Sequence, residues 1–229
     1  GHVEVHPWGE SPLGSVSTVN VSGPGGVRPN FTIVPLGEIE MLRAYTLAGG
    51  HLIIDVMGWF SPGFYAAPAD LTHTDGRFLP LATPERWVDQ RILTSQVESV
   101  VDPPEATAMR AALDAGEVSG LVVNLTTSGA SRAGDLKAFG TGLVEGHYSN
   151  SNFAPGASST NTAIVKLNEF EQFSMRTNNY PGNTVKATVD VVGYITSGSA
   201  PDSRDGLFVP TKPLRVHREY PPQMTGVRN

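Results

Sequence analysis

The chain has 229 residues, 39% hydrophobic and 17% charged, with a formal net charge of −6, no cysteine, 25 glycines and 18 prolines. The length accommodates one large or two ordinary domains with a real core. The composition excludes disulfides, Cys-based zinc sites and thiol nucleophiles, argues against a nucleic-acid surface because no basic run is present, and holds no apolar run near the ~18 residues of a membrane span.

Taken in chain order, the patterns are those of short strands. HVEVH (2–6) alternates, with Val3 and Val5 on one face and His2, Glu4 and His6 on the other. NFTIVPL (30–36) and HLIIDVMGWF (51–60) read as strands, the second buried and carrying Asp55 at its centre. PPEATAMRAALDAG (103–116) is the helix candidate, with Asp102 as N-cap, proline in the first turn, alanine in the body and Gly116 at the end. LVVNLTT (121–127), NTAIVKL (161–167), EFEQFSM (169–175) and TVDVVGY (188–194) follow as β-branched or aromatic strands. The clusters GPGG, SPG, APGAS and NNYPGN punctuate them as turns. The spacing predicts an all-β protein: two related β-sandwich or barrel-like repeat units, with one short helix near 103–116.

The chain repeats itself. Gly1–Gly9 aligns with Gly134–Gly142, Asn20 with Asn152, Ile33–Val34 with Ile164–Val165, and Asp55 with Asp190. The opening segment GRFLPLATPERWVDQR (76–91) aligns with GLFVPTKPLRVHRE (206–219). Residues 1–62 are then the back part of one unit, 63–75 a linker, 76–197 a complete unit, 198–205 a linker and 206–229 the front part of a further unit. Residues 118–134 have no counterpart before Gly1. Two arrangements follow. The chain is a piece of a longer array, or its front and back parts complete each other within one chain or between neighbours by strand addition; its abrupt opening is expected to reflect either a removed leader or a fragment.

These segments resemble a recurring β-domain of secreted and cell-surface proteins from actinobacteria and related bacteria. Units of that family read as an FxPL-TPxRLLDTR opening, a VVLNVT strand, a GFLTVYPCG strand, an N-F turn, a VVVPLG strand and a THLVVDVxGYF closing strand. Here RFLPLATPERWVDQR and LFVPTKPLRVHRE match the opening. LVVNLTT and GHVEVHPWG match the middle strands, and HLIIDVMGWF and KATVDVVGYI match the close. The family's cysteines are absent, Trp8 and Thr141 standing at one such position. The opening aspartate is kept as Asp89 in one copy and replaced within VHRE in the other. The resemblance implies an extracellular, non-catalytic tandem domain.

An acid recurring at one place in both copies points to a task every unit shares. A carboxylate in an apolar strand needs a partner, and the opening segments offer Arg86 in one copy and Arg215 in the other, so Asp55 and Asp190 are each expected to bind an opening-segment arginine or its backbone N–H groups. A guanidinium suits this by forking onto a carboxylate. The His2, Glu4 and His6 face has metal-ligand chemistry but is expected to be solvated, since Asp135, Lys137 and Phe139 replace it in the other copy. Asp75–Gly76 and Asp205–Gly206 are expected to be turns rather than calcium sites, and GTGLVEG (140–146) a hairpin loop rather than a phosphate loop. No G-x-S-x-G occurs, and no catalytic residues, metal or cofactor are expected. Trp8, Trp87 and Tyr148 are candidates for stacking on sugar rings, while Trp59 and Tyr194 are expected to cap the core. The sequons at Asn20, Asn30 and Asn124 are expected to be incidental. Assembly edges are expected at Gly1–Gly9, through Val3 and Val5, and at Leu207–Glu219, through Phe208 and Val209. The expected function is a building block of a surface or fibre-like assembly through strand pairing with neighbouring subunits; the alternative is a module binding cell-wall or environmental polysaccharide.

Overall fold

The computed structural model describes residues 1–9, 17–21, 23, 25–37, 39–60, 76–143, 146–203 and 205–206. Over these the chain is almost entirely β. Its strands are β1 (His2–Pro7), β2 (Val19–Asn20), β3 (Leu42–Thr46), β4 (Phe78–Thr94), β5 (Ser99–Val101), β6 (Val118–Ser128), β7 (Gly134–Gly140), β8 (Ser151–Phe153), β9 (Ser159–Lys166), β10 (Phe173–Asn178) and β11 (Thr184–Thr196), with a single turn of helix α1 (Arg110–Asp114).

The described residues from 76 onward form a sandwich. One antiparallel sheet runs β5-β10-β7-β8 and the other β4-β11-β6-β9. Alternation builds the core. Leu121, Val123 and Leu125 of β6 and Val185, Ala187, Val189 and Val191 of β11 meet Leu136 and Ala138 of β7 and Phe173 and Met175 of β10 in one buried cluster. Each fully buried large side chain contributes roughly 1.5–3 kcal/mol, so the shared core holds the two layers together.

The pairing of β4 with β11 is irregular and sets the geometry of the candidate site. Asp190 lies opposite Arg86 and Val191 opposite Glu85, but β11 then moves only to Gly193 while β4 runs back to Pro80. A second irregularity lets the adjacent residues Trp87 and Val88 both be buried, which a regular strand does not permit. Gly193 is required by this approach: a Cβ there would stand 2.6 Å from the Leu79 carbonyl oxygen and 2.5 Å from the Phe78 ring.

The helix is shorter than the sequence predicts. Residues 103–109 form turns, and the N-cap is Met109, without a side-chain cap, rather than Asp102. Pro103 and Pro104 have no N–H, and their carbonyls accept hydrogen bonds from the Arg110 guanidinium (3.4 and 2.8 Å). The C-terminus follows the glycine signal. Gly116, at φ 68°, donates to the Leu113 carbonyl and Glu117 donates to that of Ala112, a Schellman closure.

The N-terminal sheet, ordered β2-β1-β3, repeats part of the sandwich pair for pair. Val3 faces Val19 and His2 faces Asn20, as Leu136 faces Ser151 and Asp135 faces Asn152. Val3 faces Thr46 and Pro7 faces Leu42, as Leu136 faces Thr177 and Gly140 faces Phe173. Finer details recur too. The Val5 N–H donates to Thr18 Oγ1 (2.9 Å) and the Ala138 N–H to Asn150 Oδ1 (2.7 Å). Asn30 Nδ2 donates to the Thr18 carbonyl (2.7 Å) and Asn161 Nδ2 to that of Asn150 (2.6 Å). Glu40 and Glu171 both adopt positive φ, 57° and 63°, a conformation uncommon for a residue with a side chain.

Two expected strands are absent. NFTIVPL corresponds to β9 and HLIIDVMGWF to β11, yet neither forms a strand, and residues 51–60 are all exposed rather than buried. The reason is pairing. β9 is held by β6, and β11 by β6 and β4; for 30–37 and 51–60 no such partner is present among the described residues. EFEQFSM becomes a strand only from Phe173, its first half forming the Glu171 turn.

Candidate functional site

Arg86 and Asp190 form the pair expected from the sequence. Arg86 Nε donates to Asp190 Oδ1 at 2.9 Å and Nη2 to Oδ2 at 3.3 Å, a forked contact. Arg86 Nη1 also reaches Asp89 Oδ1 at 3.5 Å. The hydrogen bond to Asp190, then its charge, raises the Arg86 pKa. The carboxylate is not a core group. Val189 and Val191 face inward, so the intervening Asp190 stands on the outer face, partly exposed. Across β11 from Arg86 the same rank continues with Asn124, whose Oδ1 accepts from the Thr162 hydroxyl at 2.8 Å. The pair ties opening strand to closing strand on a solvent-facing polar row.

Asp55 occupies the equivalent place in 51–60 and is exposed; among the described residues no hydrogen bond or ion pair engages it. Arg215, Phe208 and Val209 lie outside the described residues. Ile54 and Val56 are 51% and 79% exposed where their counterparts Val189 and Val191 are fully buried. Trp59 is 87% exposed and caps no core, whereas Tyr194 packs against the core cluster and burial raises its pKa.

Val3 and Val5 are not edge residues. β1 is the middle strand of its sheet, with both edges taken by β2 and β3. The polar face of β1 is not solvated either: Glu4 and His6 are buried. Arg43 and Tyr45 of β3 stand directly opposite His6 and Glu4. Alternation separates the two faces of a strand without saying which is covered. His2 Nε2 lies 3.2 Å from Glu4 Oε1, and among the described residues no group of three metal-ligating side chains is assembled.

Of the sugar-stacking candidates, Trp87 is corrected. The β4 irregularity turns it inward, and its indole N–H donates to Glu85 Oε2 at 3.3 Å. Tyr148 is half-buried and donates its hydroxyl to the Ala138 carbonyl at 3.3 Å. Trp8 is exposed, with the Arg43 guanidinium 5.1 Å from its ring centre.

Two structural groups were not singled out from the sequence. Glu85 accepts from the Thr107 hydroxyl (2.6 Å) and the Ala108 N–H (2.7 Å), besides Trp87, and so pins the 103–109 turns to β4. Burial raises the pKa of its carboxyl, but these hydrogen bonds together outweigh burial and hold it below the ordinary value. Buried Arg77 donates to the carbonyls of Asp205 (3.0 Å) and Pro201 (2.7 Å), fastening the segment after β11 to the start of β4. Neither role has a local motif, because each joins residues distant in sequence. Asp205–Gly206 is a turn, Gly206 adopting φ 82° with its carbonyl accepting from the Phe78 N–H at 2.9 Å. Asp75 lies outside the described residues.

Two open clefts accompany these features. One, about 580 Å³, is lined by Leu79, Leu81, Met109, Ala112, Glu117 and Tyr194 and has a single carboxylate. The other, about 450 Å³, lies between residues 54–57 and the sandwich, with Asp55, His147, Tyr148 and Lys166 on its walls. No model of a known protein family matches the chain, and no curated protein matches it.

Proposed function

We propose that this is a non-catalytic structural or interaction protein of the cell exterior, which joins neighbouring copies into an assembly by pairing strands between repeat units. One observation carries the reading. Residues 51–60 expose an apolar closing strand, Val56 at 79% and Trp59 at 87%, where the same strand of the complete unit is buried between two partners. An exposed apolar segment that no strand among the described residues pairs with is a site for strand addition. The surface location rests on the family resemblance. The carbohydrate-binding alternative retains only Trp8 as an exposed candidate ring, and Arg43 lies over it. Light scattering on the 229-residue chain across a range of concentrations tests the reading: mass rising above that of one chain supports it, and a monomer at every concentration refutes it.

A further inference from the structure

We propose that residues 207–219 are the strand partner of residues 51–60, antiparallel and in the register that β4 takes on β11. This deepens the assembly reading and rests on it for the source of the segment, a neighbouring copy of the chain.

The internal repeat supplies the register. It already holds at the resolution of single residue pairs, since each β1–β2 and β1–β3 partnership is one that β7 makes with β8 and β10. Applied to the second sheet, the same rule converts the observed pairs of β11 and β4. Ile195 opposite Phe78 becomes Phe60 opposite Phe208. Tyr194 opposite Leu79 becomes Trp59 opposite Val209, and Gly193 opposite Pro80 becomes Gly58 opposite Pro210. Asp190 opposite Arg86 becomes Asp55 opposite Arg215.

Three features of 51–60 fit this occupant. A Cβ at Gly193 would meet the Leu79 backbone, whereas among the described residues nothing lies within 4 Å of one at Gly58, so an incoming strand has room to approach there. Asp190 is engaged by a forked arginine, whereas among the described residues no hydrogen bond or ion pair engages Asp55, and the proposed register brings Arg215 to its place. Ile54, Val56 and Trp59 are exposed where Val189 and Val191 are buried and Tyr194 packs on the core. The incoming segment is also chemically an edge strand. It carries Pro210 and Pro213 where β4 carries Pro80 and Pro84, and β4 lies at the edge of its sheet, the position that tolerates missing N–H groups. Gly206, the residue before it, accepts from the Phe78 N–H at that same edge.

The chain has no cysteine, so an introduced pair reports contact directly. Opposed residues in adjacent antiparallel strands have Cα atoms about 4.5–5.5 Å apart, within the reach of a disulfide, while a one-residue slip turns the side chain to the other face. The test oxidises the full chain carrying Trp59→Cys with Val209→Cys, against Trp59→Cys with Phe208→Cys. The expected result is a link in the first pair, between chains, and none in the second. A link of the first pair within a single chain keeps the proposed pairing and refutes the assembly reading. No link in the first pair, or equal linking in both, overturns the pairing whatever mass light scattering records. Charge reversal gives an independent readout: Asp55→Arg and Arg215→Asp each reduce linking of the Trp59→Cys, Val209→Cys chain, and together restore it. Failure of the double reversal to restore linking counts against the register.

Discussion

A methyl group placed at Gly193 and at its counterpart Gly58 should have opposite consequences. At Gly193 the new Cβ would stand 2.6 Å from the Leu79 carbonyl oxygen and 2.5 Å from the Phe78 ring. The ring can turn, but the carbonyl belongs to the β4–β11 ladder and cannot withdraw without breaking it. Overpacking of this kind costs about 1–3 kcal/mol, and backbone as the obstacle places Gly193→Ala near the upper end, about 3 kcal/mol. For a chain of this size each kcal/mol lowers Tm by roughly 2–4 °C, so the variant should melt about 6–12 °C lower. At Gly58, among the described residues, nothing lies within 4 Å. There Gly58→Ala should leave Tm unchanged or raise it slightly, since alanine restricts the unfolded chain by about 0.4–1 kcal/mol. Thermal unfolding followed by circular dichroism, in dilute solution where copies are separate, compares the two. Equal melting of both variants would refute the claim that the closing-strand glycine is a product of the opening strand's approach.

Other perturbations address separate parts of the structure. Leu125→Ala removes a fully buried side chain of β6 and should cost about 3 kcal/mol in urea unfolding, while Val56→Ala should be within about 0.5 kcal/mol for the dilute chain. Glu85→Gln should cost on the order of 1 kcal/mol at neutral pH, the contact being partly exposed. Because the folded pKa of Glu85 lies below its ordinary 4.5, its contribution is present above about that pH and is lost as pH falls through the lower folded value; the gap between wild type and variant should therefore close in acid, and a gap constant with pH would contradict the assignment. Asn161→Ala and Asn30→Ala remove the same side-chain tie in the two copies, and each should cost about 1 kcal/mol, readable as reduced amide protection at Asn150 and Thr18.

What was legible in the sequence was largely what the repeat carried. The alignment of Val3 with Leu136 and Leu42 with Phe173 anticipates the register of a whole sheet, because strands that keep their sequence keep their partners. The Arg86–Asp190 pair was legible for the same reason: an acid and a base recur at fixed places in segments that open and close a unit. Strand formation at 51–60 was not, because alternation and β-branching record a preference that only a partner strand fulfils. Trp87 was misread because a strand irregularity changes the inward parity, which no count of alternate residues detects. Glu4 and His6 were assigned to solvent because polarity alone suggests exposure, yet both are buried.

The account's central claim is that residues 51–60 become a strand when copies meet. Hydrogen–deuterium exchange of the amides from Leu52 to Trp59, measured at low and at high protein concentration, tests it most directly. The account predicts fast exchange in the dilute chain and slow exchange at high concentration for alternate amides, those facing the incoming strand. Fast exchange of the whole segment at every concentration, in a sample that light scattering shows to be assembled, would contradict it.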